Sequence, residues 1–490
     1  MACLRLTASF VLIFLLAGVA VAQAPLRLSS LAAKSPGSNA CNVDSGASRP
    51  IHRAAHRTGN GLDAYIAALN YVITFYPRWF TYNQGSNEPC NQLVGPDTIS
   101  PAYHAVVAIN DDTLYASTFI GVKQQPVIVT VPATSDNYSV LQLDGFGAIF
   151  SGIPSNQPGV YGLTAPGWSG TLPTGVVQVQ MPYDYTELIF RADRYNKSGN
   201  TYVNVDPEAT QFRAGLHAAY LSDYLSDPNS GAANILSEAF FTVPYKLTAD
   251  NLVALDAISF LTQLQTAVHA GTTQPLTPNE QAVSDAFDAL FGDSSLNPQF
   301  IAGAQDGHKA LDANYLTHVL SGSTWITFPN MGTWTDDLVG YLDRSSIMEY
   351  IQFGNNHTEA AYFQTFLDGK GHPLDGSQCG YILTFPQGQQ PSTTRFWSVT
   401  AYLPESIELI PNASDTYLVG AYSPGLVTSS NGSVSIYMFV NKPANVPTAN
   451  WLPVPNGPFN IMLRDYGPTG SVLDNTYTPP AVSSICRMAR

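Results

Sequence analysis

Residues 450–482, NWLPVPNGPFNIMLRDYGPTGSVLDNTYTPPAV, decide how the chain is read. Trp451, Pro453, Pro455, Gly457 and Pro458 lead straight into the strand-like run Phe459-Asn460-Ile461-Met462-Leu463-Arg464. Proline fixes φ and lacks a backbone donor, so it sits at turns and sheet edges and not within a ladder. The stretch therefore predicts a rigid, aromatic-pinned lead-in to a buried strand of an all-β domain.

Similar short runs extend the pattern on both sides. Tyr381–Phe385, Phe396–Tyr402 and Val434–Val440 read as strands of the same domain. From about 97 to 192, Val127–Val131, Ser139–Leu143 and Val176–Met181 alternate with Gly/Pro/Asn/Asp turns, a β-sandwich rhythm. Between the two, residues 206–292 carry helical grammar. Asp206-Pro207 opens one helix, and Leu252, Leu255, Ile258, Leu261, Leu264 and Val268 form one stripe. Thr277-Pro278-Asn279-Glu280 spells a capping box. Nearer the N-terminus, Leu62, Ile66, Leu69, Ile73 and Tyr76 predict a helix that Pro77 stops.

The 490 residues predict two to three domains. Charged residues make up 12%, against roughly 25% in an average globular protein. With 21 basic and 36 acidic residues the net charge is −15, which disfavours nucleic acid and anionic membranes as partners. Arg5, the apolar run 10–17 and Ala20-Val21-Ala22 read as a signal peptide over residues 1–22, so the mature chain is expected to be secreted and extracellular, with no membrane contact after processing. Residues 23–60, rich in Ser, Ala, Gly and Pro, read as a flexible leader. Cys41, Cys90, Cys379 and Cys486 then form an even set suited to disulfides, with Cys41 and Cys486 favoured as partners although spacing leaves all three pairings open. Five sequons, at Asn137, Asn196, Asn356, Asn412 and Asn431, predict N-glycosylation.

The segments resemble the paired domains of unknown function catalogued as families 1254 and 1214. The first is carried by Asn110-Asp111-Asp112-Thr113-Leu114-Tyr115-Ala116-Ser117, Pro126–Pro132, Tyr138–Leu143 and Pro166–Val176. The second rests on Leu374–Ser377, Phe385–Gln389, Phe396–Thr400 and 450–482, with Gly467 standing where relatives often carry a bulky residue. The resemblance implies an immunoglobulin-like β-sandwich, an α-helical insert and a C-terminal jelly roll in a multidomain, mainly β protein. The boundaries expected are 61–200 for the N-terminal helix and sandwich, 201–335 for the helical domain and 336–490 for the jelly roll. It implies no activity.

No Gly-x-Ser-x-Gly elbow, phosphate loop, His-Glu-x-x-His or Cys-x-x-Cys occurs, so no metal and no cofactor is expected. Asp144-Gly145-Phe146-Gly147 begins like a dinucleotide fingerprint, but Phe150 replaces its third glycine; His52 and His56, four apart, read as solvated histidines of the leader. The strongest polar cluster is Asn110–Tyr115, which fits either a turn leading into a strand or a site using Asp112 and Tyr115. Arg191, Arg344 and Arg464 each adjoin apolar runs; buried, each would need a carboxylate such as Asp112, Asp144 or Asp375. Asn110, Asp375, Trp168, Trp397 and Trp451 are candidates for binding a sugar, the indoles by stacking. Two functions follow: an extracellular or cell-wall glycoprotein that binds glycan or assembles with itself, or a hydrolase or lyase with an Asp/Tyr/Arg site at the domain seam.

Overall fold

A computed structural model of the chain describes residues 61–96, 98–199, 201–235 and 244–486. The expected signal peptide, the leader, Cys41, His52 and His56 lie outside them. Helices account for 29% of the structure and strands for 27%. Among the described residues no helix is long and apolar enough to cross a membrane.

Two pairs of sheets enclose separate cores. In the N-terminal half, one sheet runs Asn234–Ile235, Val94–Gly95, Thr113–Gly121, Tyr185–Asp193, Tyr138–Leu143, and the other His217–Tyr220, Val127–Val131, Gly159–Thr164, Val176–Gln180. They bury Ala116, Val129, Leu163, Leu188 and Phe190 between them. In the C-terminal half, the sheet Ala360–Thr365, Asn460–Pro468, Thr393–Tyr402, Leu418–Gly420 faces Trp451–Pro453, Val434–Phe439, Cys379–Phe385, Ser483–Cys486. That core holds Trp397, Val399, Leu383, Ile436, Ile461 and Leu463.

The lead-in to the last long strand behaves as its prolines predict. Trp451–Pro453 pairs in parallel at the edge of its sheet, and the Trp451 indole donates to the Phe439 carbonyl (3.0 Å). The strand that follows is buried from Asn460 to Tyr466 on both faces. Alternation then splits its side chains: Ile461 and Leu463 enter the C-terminal core, whereas Met462 and Tyr466 face a third core. Gly467 ends the buried run at φ +67°, where a Cβ would lie 2.2 Å from Thr394 Oγ1, so the departure from the family pattern is a steric requirement of this turn.

The third core is where sheets and helices meet. Helix Gly61–Asn87 packs against Ala257–His269, Pro278–Asp288, Asn297–Thr317 and Leu338–Tyr350, so it joins the helical layer and not the N-terminal sandwich with which the sequence grouped it. Its buried face is Ala64, Ala68, Tyr71, Val72 and Phe75, while Leu62 and Ile66 of the expected stripe are exposed. Gly303 and Gly307 permit the approach: a Cβ on Gly303 would sit 2.3 Å from the Tyr65 carbonyl.

Pro77 does not stop this helix, which runs ten residues further to Asn87. A helical proline leaves the carbonyl four residues earlier without its donor. Here that carbonyl, on Ile73, accepts the Ser345 hydroxyl (2.7 Å), and the next one, on Thr74, accepts Arg344 Nη2 (2.6 Å). Tertiary partners therefore replace the missing bond. The stripe expected over 252–268 is likewise divided: Tyr245–Leu255 ends, Asp256 caps Ala257–His269 through Ser259 N (3.2 Å), and Leu255 points to solvent. The Thr277–Glu280 capping box forms as expected.

Cys379 and Cys486 are disulfide-bonded across neighbouring strands, which corrects the favoured Cys41–Cys486 pairing; Cys90 is disulfide-bonded as well. Spacing could not see this because strand register, not chain ends, brings the two thiols together. The bridge closes a loop of 107 residues. Chain-entropy reasoning puts its contribution at about 4–5 kcal/mol. Cys379→Ser is therefore expected to lower the thermal midpoint by several degrees in scanning calorimetry; an unchanged midpoint would contradict it.

Candidate functional site

The Tyr185–Asp193 strand explains how a polar site comes to lie inside an apolar fold. All nine residues are buried. Leu188, Phe190 and Ala192 point into the N-terminal core, so the alternation sends Glu187, Ile189 and Arg191 to the opposite face. The neighbouring strand Thr113–Gly121 sends Tyr115 and Ser117 the same way, with Tyr115 paired to Arg191 in register. From the C-terminal half, Arg464 and Tyr362 face them, also paired in register. Together with Gln84 of the first helix, the loop 103–110 and the segment after the last long helix, they enclose a cavity of about 40 Å³ at the seam between the two halves.

Most polar atoms here are fixed by one another. Asn110 Oδ1 accepts the Asp112 amide (2.9 Å), and its Nδ2 donates to the Tyr115 hydroxyl (2.6 Å). Arg191 lies 5.5 Å over the Tyr115 ring; its Nη2 donates to the Phe353 carbonyl (2.6 Å) and its Nη1 to Asn355 Oδ1. Arg464 Nη1 reaches Thr400 Oγ1 (3.4 Å) and Nη2 the Ala108 carbonyl. On the residues that line the cavity, three buried atoms have no hydrogen-bond partner: Arg191 Nε, Arg464 Nε and Glu187 Oε2. Burial pushes the Glu187 carboxyl well above the usual carboxylate range, the nearby Glu88 adds to this, and Arg191 only partly opposes it. Glu88, itself buried, is raised to about 7.

The backbone around the cavity is strained. Ala108 (φ 53°) and Gln352 (φ 66°) are left-handed without being glycine, and Ile407 (φ 51°) accepts the Ala108 amide (2.9 Å) on its carbonyl. Each such residue costs of order 1–3 kcal/mol and persists only where its surroundings over-determine it. Gln352 Oε1 is spent on the Val107 amide (2.7 Å) and its Nε2 on Gln84 Oε1 (3.0 Å), which ties the wall to the helix.

Of the residues singled out in the sequence, Asn110, Tyr115, Arg191 and Arg464 meet at this cavity. Asp112 does not. It is fully buried beside it, with Oδ2 accepting the Ser398 hydroxyl (2.8 Å) and Oδ1 the Tyr422 hydroxyl, and so serves to lock the two halves together. Arg344 is elsewhere: its Nη1 pairs with Glu280 Oε1 (2.9 Å) and its guanidinium stacks on Phe146 and Tyr341. Its ion-pair carboxylate is thus Glu280; Asp144 acts on Arg344 only at longer range, and neither it nor Asp375 forms an ion pair with any of the three arginines among the described residues. Asp144 closes its own turn by accepting the amides of Phe146 and Ala148, which also explains the glycine-rich run there. Asp375 accepts Ser377 N and Oγ in another turn. Trp397 lies in the C-terminal core, Trp451 at a sheet edge and Trp168 on a loop of the N-terminal half, so the indoles form no common stacking face. Among the sequons, Asn431 is exposed on its turn, whereas the Asn137 amide bonds Asn196 Oδ1 (2.9 Å).

Glu187 was missed, although its signal is in the sequence. In Tyr185-Thr-Glu-Leu-Ile-Phe-Arg-Ala-Asp193 the charged residues 187, 191 and 193 share one parity and the apolar 188, 190 and 192 the other. The last of them, Asp193, is buried and accepts Arg395 Nε (2.8 Å) and Nη2 from the C-terminal sheet.

A second charged cluster lies inside the helical layer. Asp250, His308 and Glu349 place ligand-type atoms within 4.8 Å of one another. Lys246 sits among them, its Nζ 2.8 Å from Asp250 Oδ2 and in contact with Glu349, and Tyr76 donates to Glu349 Oε2. Two cations already balance two carboxylates, which makes this an internal ion network between four helices.

The fold and seam define a class: two β-sandwiches joined through a helical layer, with a small cavity of mixed polar and apolar lining at the junction. Residues 90–217 match the family described as protein of unknown function (DUF1254), and residues 359–470 the family described as protein of unknown function (DUF1214). The chain carries both domains, in the order its motifs implied. No curated protein matches it. Among solved structures, the VPA0106 protein from Vibrio parahaemolyticus is similar at 20% identity and a TM-score of 0.53, with 86% of this chain and 100% of that one covered. A putative uncharacterized protein from Burkholderia cenocepacia aligns at 12% identity and a TM-score of 0.39, over 86% of this chain and 94% of the other.

Proposed function

We propose that this is an exported, glycosylated protein that works by binding a small polar molecule in the seam cavity. Its architecture in this reading is an immunoglobulin-like sandwich, a helical insert and a C-terminal jelly roll. The observation that carries the proposal is the convergence of Glu187, Arg191 and Arg464, each buried and each with an unpartnered polar atom, on one cavity. Buried polar atoms without partners cost about 1–3 kcal/mol each; others occur among the described residues, but these three belong to residues that line one cavity. The volume, about 40 Å³, is well below the roughly 150 Å³ that accommodates benzene, so it suits a small functional group and not a sugar ring. Binding of a cell-wall glycan, or assembly with a second copy, would use the outer surface of the same secreted protein. A hydrolase or lyase built on Asp112 is disfavoured, because both carboxylate oxygens are already taken by hydroxyls of the other half.

Thermal denaturation of the mature chain against a panel of small acids, amides and sugars tests the proposal. A ligand at a hundred times its Kd stabilises by about 2.7 kcal/mol, which shifts the midpoint by several degrees. Ser117→Leu, which fills the cavity, should erase that shift. Equal shifts in both proteins would place binding elsewhere.

A further inference from the structure

We propose that the bound molecule is a small aliphatic carboxylate, whose oxygens accept the Nε–H groups of Arg191 and Arg464 while the Glu187 carboxyl group donates to it. This rests on the cavity being a ligand site and adds the ligand's chemical class.

Donor geometry leads to it. Each guanidinium has its two Nη groups engaged: Arg191 on Asn355 and the Phe353 carbonyl, Arg464 on Thr400 and the Ala108 carbonyl. Each keeps its Nε–H unpartnered and buried. Among the described residues, neither arginine is within ion-pair distance of a carboxylate, in contrast to Arg194, Arg344 and Arg395, which all have one. Two guanidiniums therefore face one cavity with no anion of the protein's own at contact distance. Asp112 acts on Arg464 and Glu187 on Arg191 only from beyond ion-pair distance, and a buried charge gains most from a partner in contact, so an anion in the cavity would complete both guanidiniums.

The shape of the site narrows the class. Three open atoms suit the two oxygens of a planar carboxylate: two N–H donors, plus a third group that donates when protonated. A phosphate or sulfate would bring more oxygens than these partners serve. Burial first and Glu88 second raise the Glu187 carboxyl pKa, which favours the protonated form, and in that form the group adds a hydrogen bond without adding repulsion. Val106, Ile109, Ile189, Ile351 and Phe353 supply the rest of the wall, which fits a short hydrocarbon tail. The left-handed Ala108 presents the carbonyl that holds both Arg464 Nη2 and the Tyr402 hydroxyl (3.3 Å), and this fixes the guanidinium before any ligand arrives.

Isothermal titration of the mature chain at neutral pH with acetate, and separately with its neutral isostere acetamide, tests the assignment. Acetate is expected to bind one to one, at least tenfold more tightly than acetamide. Glu187→Gln, which keeps a donor in place, should hold acetate affinity within about threefold. Ser117→Leu should lose it. If acetamide binds as tightly as acetate, the carboxylate class is wrong while the binding site stands. If neither binds although the broader panel finds a ligand that Ser117→Leu excludes, the class is again overturned and the site is kept. If Ser117→Leu leaves every response unchanged, site and class fall together. A tenfold gain in acetate affinity for Glu187→Gln would show Glu187 to be ionised and repulsive, and would overturn its role as donor.

Discussion

Glu349→Ala should destabilise the protein by about 3–5 kcal/mol, because it leaves two buried cations, Lys246 and His308, to share Asp250 as their one remaining carboxylate in ion-pair range among the described residues. The pH dependence of stability should carry the signature of the same network. Burial alone would lower the His308 pKa, yet hydrogen bonds to Asp250 and Glu349 lift it to about 10 from an ordinary 6.5. Its contribution is therefore complete below about 6.5 and lost as pH rises through 10. Burial alone would raise Glu349, but Lys246 first and His308 second pull it down to about 2 from 4.5. Its contribution is complete above about 4.5 and lost as pH falls toward 2. Both are whole between about 4.5 and 6.5, so the gap in urea midpoint between the parent chain and Glu349→Ala should be widest there and narrow on either side. A variant as stable as the parent, with an unchanged profile, would show the network to be energetically idle.

Asp193→Ala is expected to be the second severe change, again about 3–5 kcal/mol, since it leaves the buried Arg395 with Glu359, 4.0 Å away, as its one carboxylate in ion-pair range among the described residues. The pair joins the last residue of a strand in one sandwich to a strand of the other, so its loss should loosen the seam as well as the fold. The double variant Asp193→Ala/Arg395→Met removes both charges and should recover most of the stability, because replacing an entire buried pair by apolar groups is far less harmful than breaking it. Ligand binding at the cavity should weaken in the single variant beyond what the double variant shows. Denaturation of the three proteins in urea decides it. Equal losses in single and double variants would mean that packing, and not charge, holds this contact.

Much of the architecture was legible because local rules and tertiary context agree. Proline and aromatic residues at 451–458 could only lead into a strand at a sheet edge, and the capping box at Thr277 satisfies its amides without outside help. The sequence misled where a distant group substitutes for a local one. Pro77 reads as a stop, but Ser345, more than 260 residues away, supplies the missing hydrogen bond. Leu252 to Val268 reads as one stripe, yet Asp256 breaks it and caps the second half. The site divides in the same way. Arg191, Arg464, Asn110 and Tyr115 stood out as scarce polar residues beside apolar runs, and they do converge. Asp112 stood out equally, but its partners Ser398 and Tyr422 lie nearly 300 residues further on, and no local pattern announces that they exhaust it. Gln84 and Gln352 carry no sequence signal, because their role exists only once helix and loop are side by side.

A high-resolution crystallographic map of the mature chain, grown from a solution containing acetate, bears most directly on the seam cavity. The expected result is planar density bridging Arg191 Nε and Arg464 Nε within hydrogen-bond distance of Glu187. Separate water peaks in its place, or side chains collapsed to fill the space, would contradict a ligand site at the junction of the two domains.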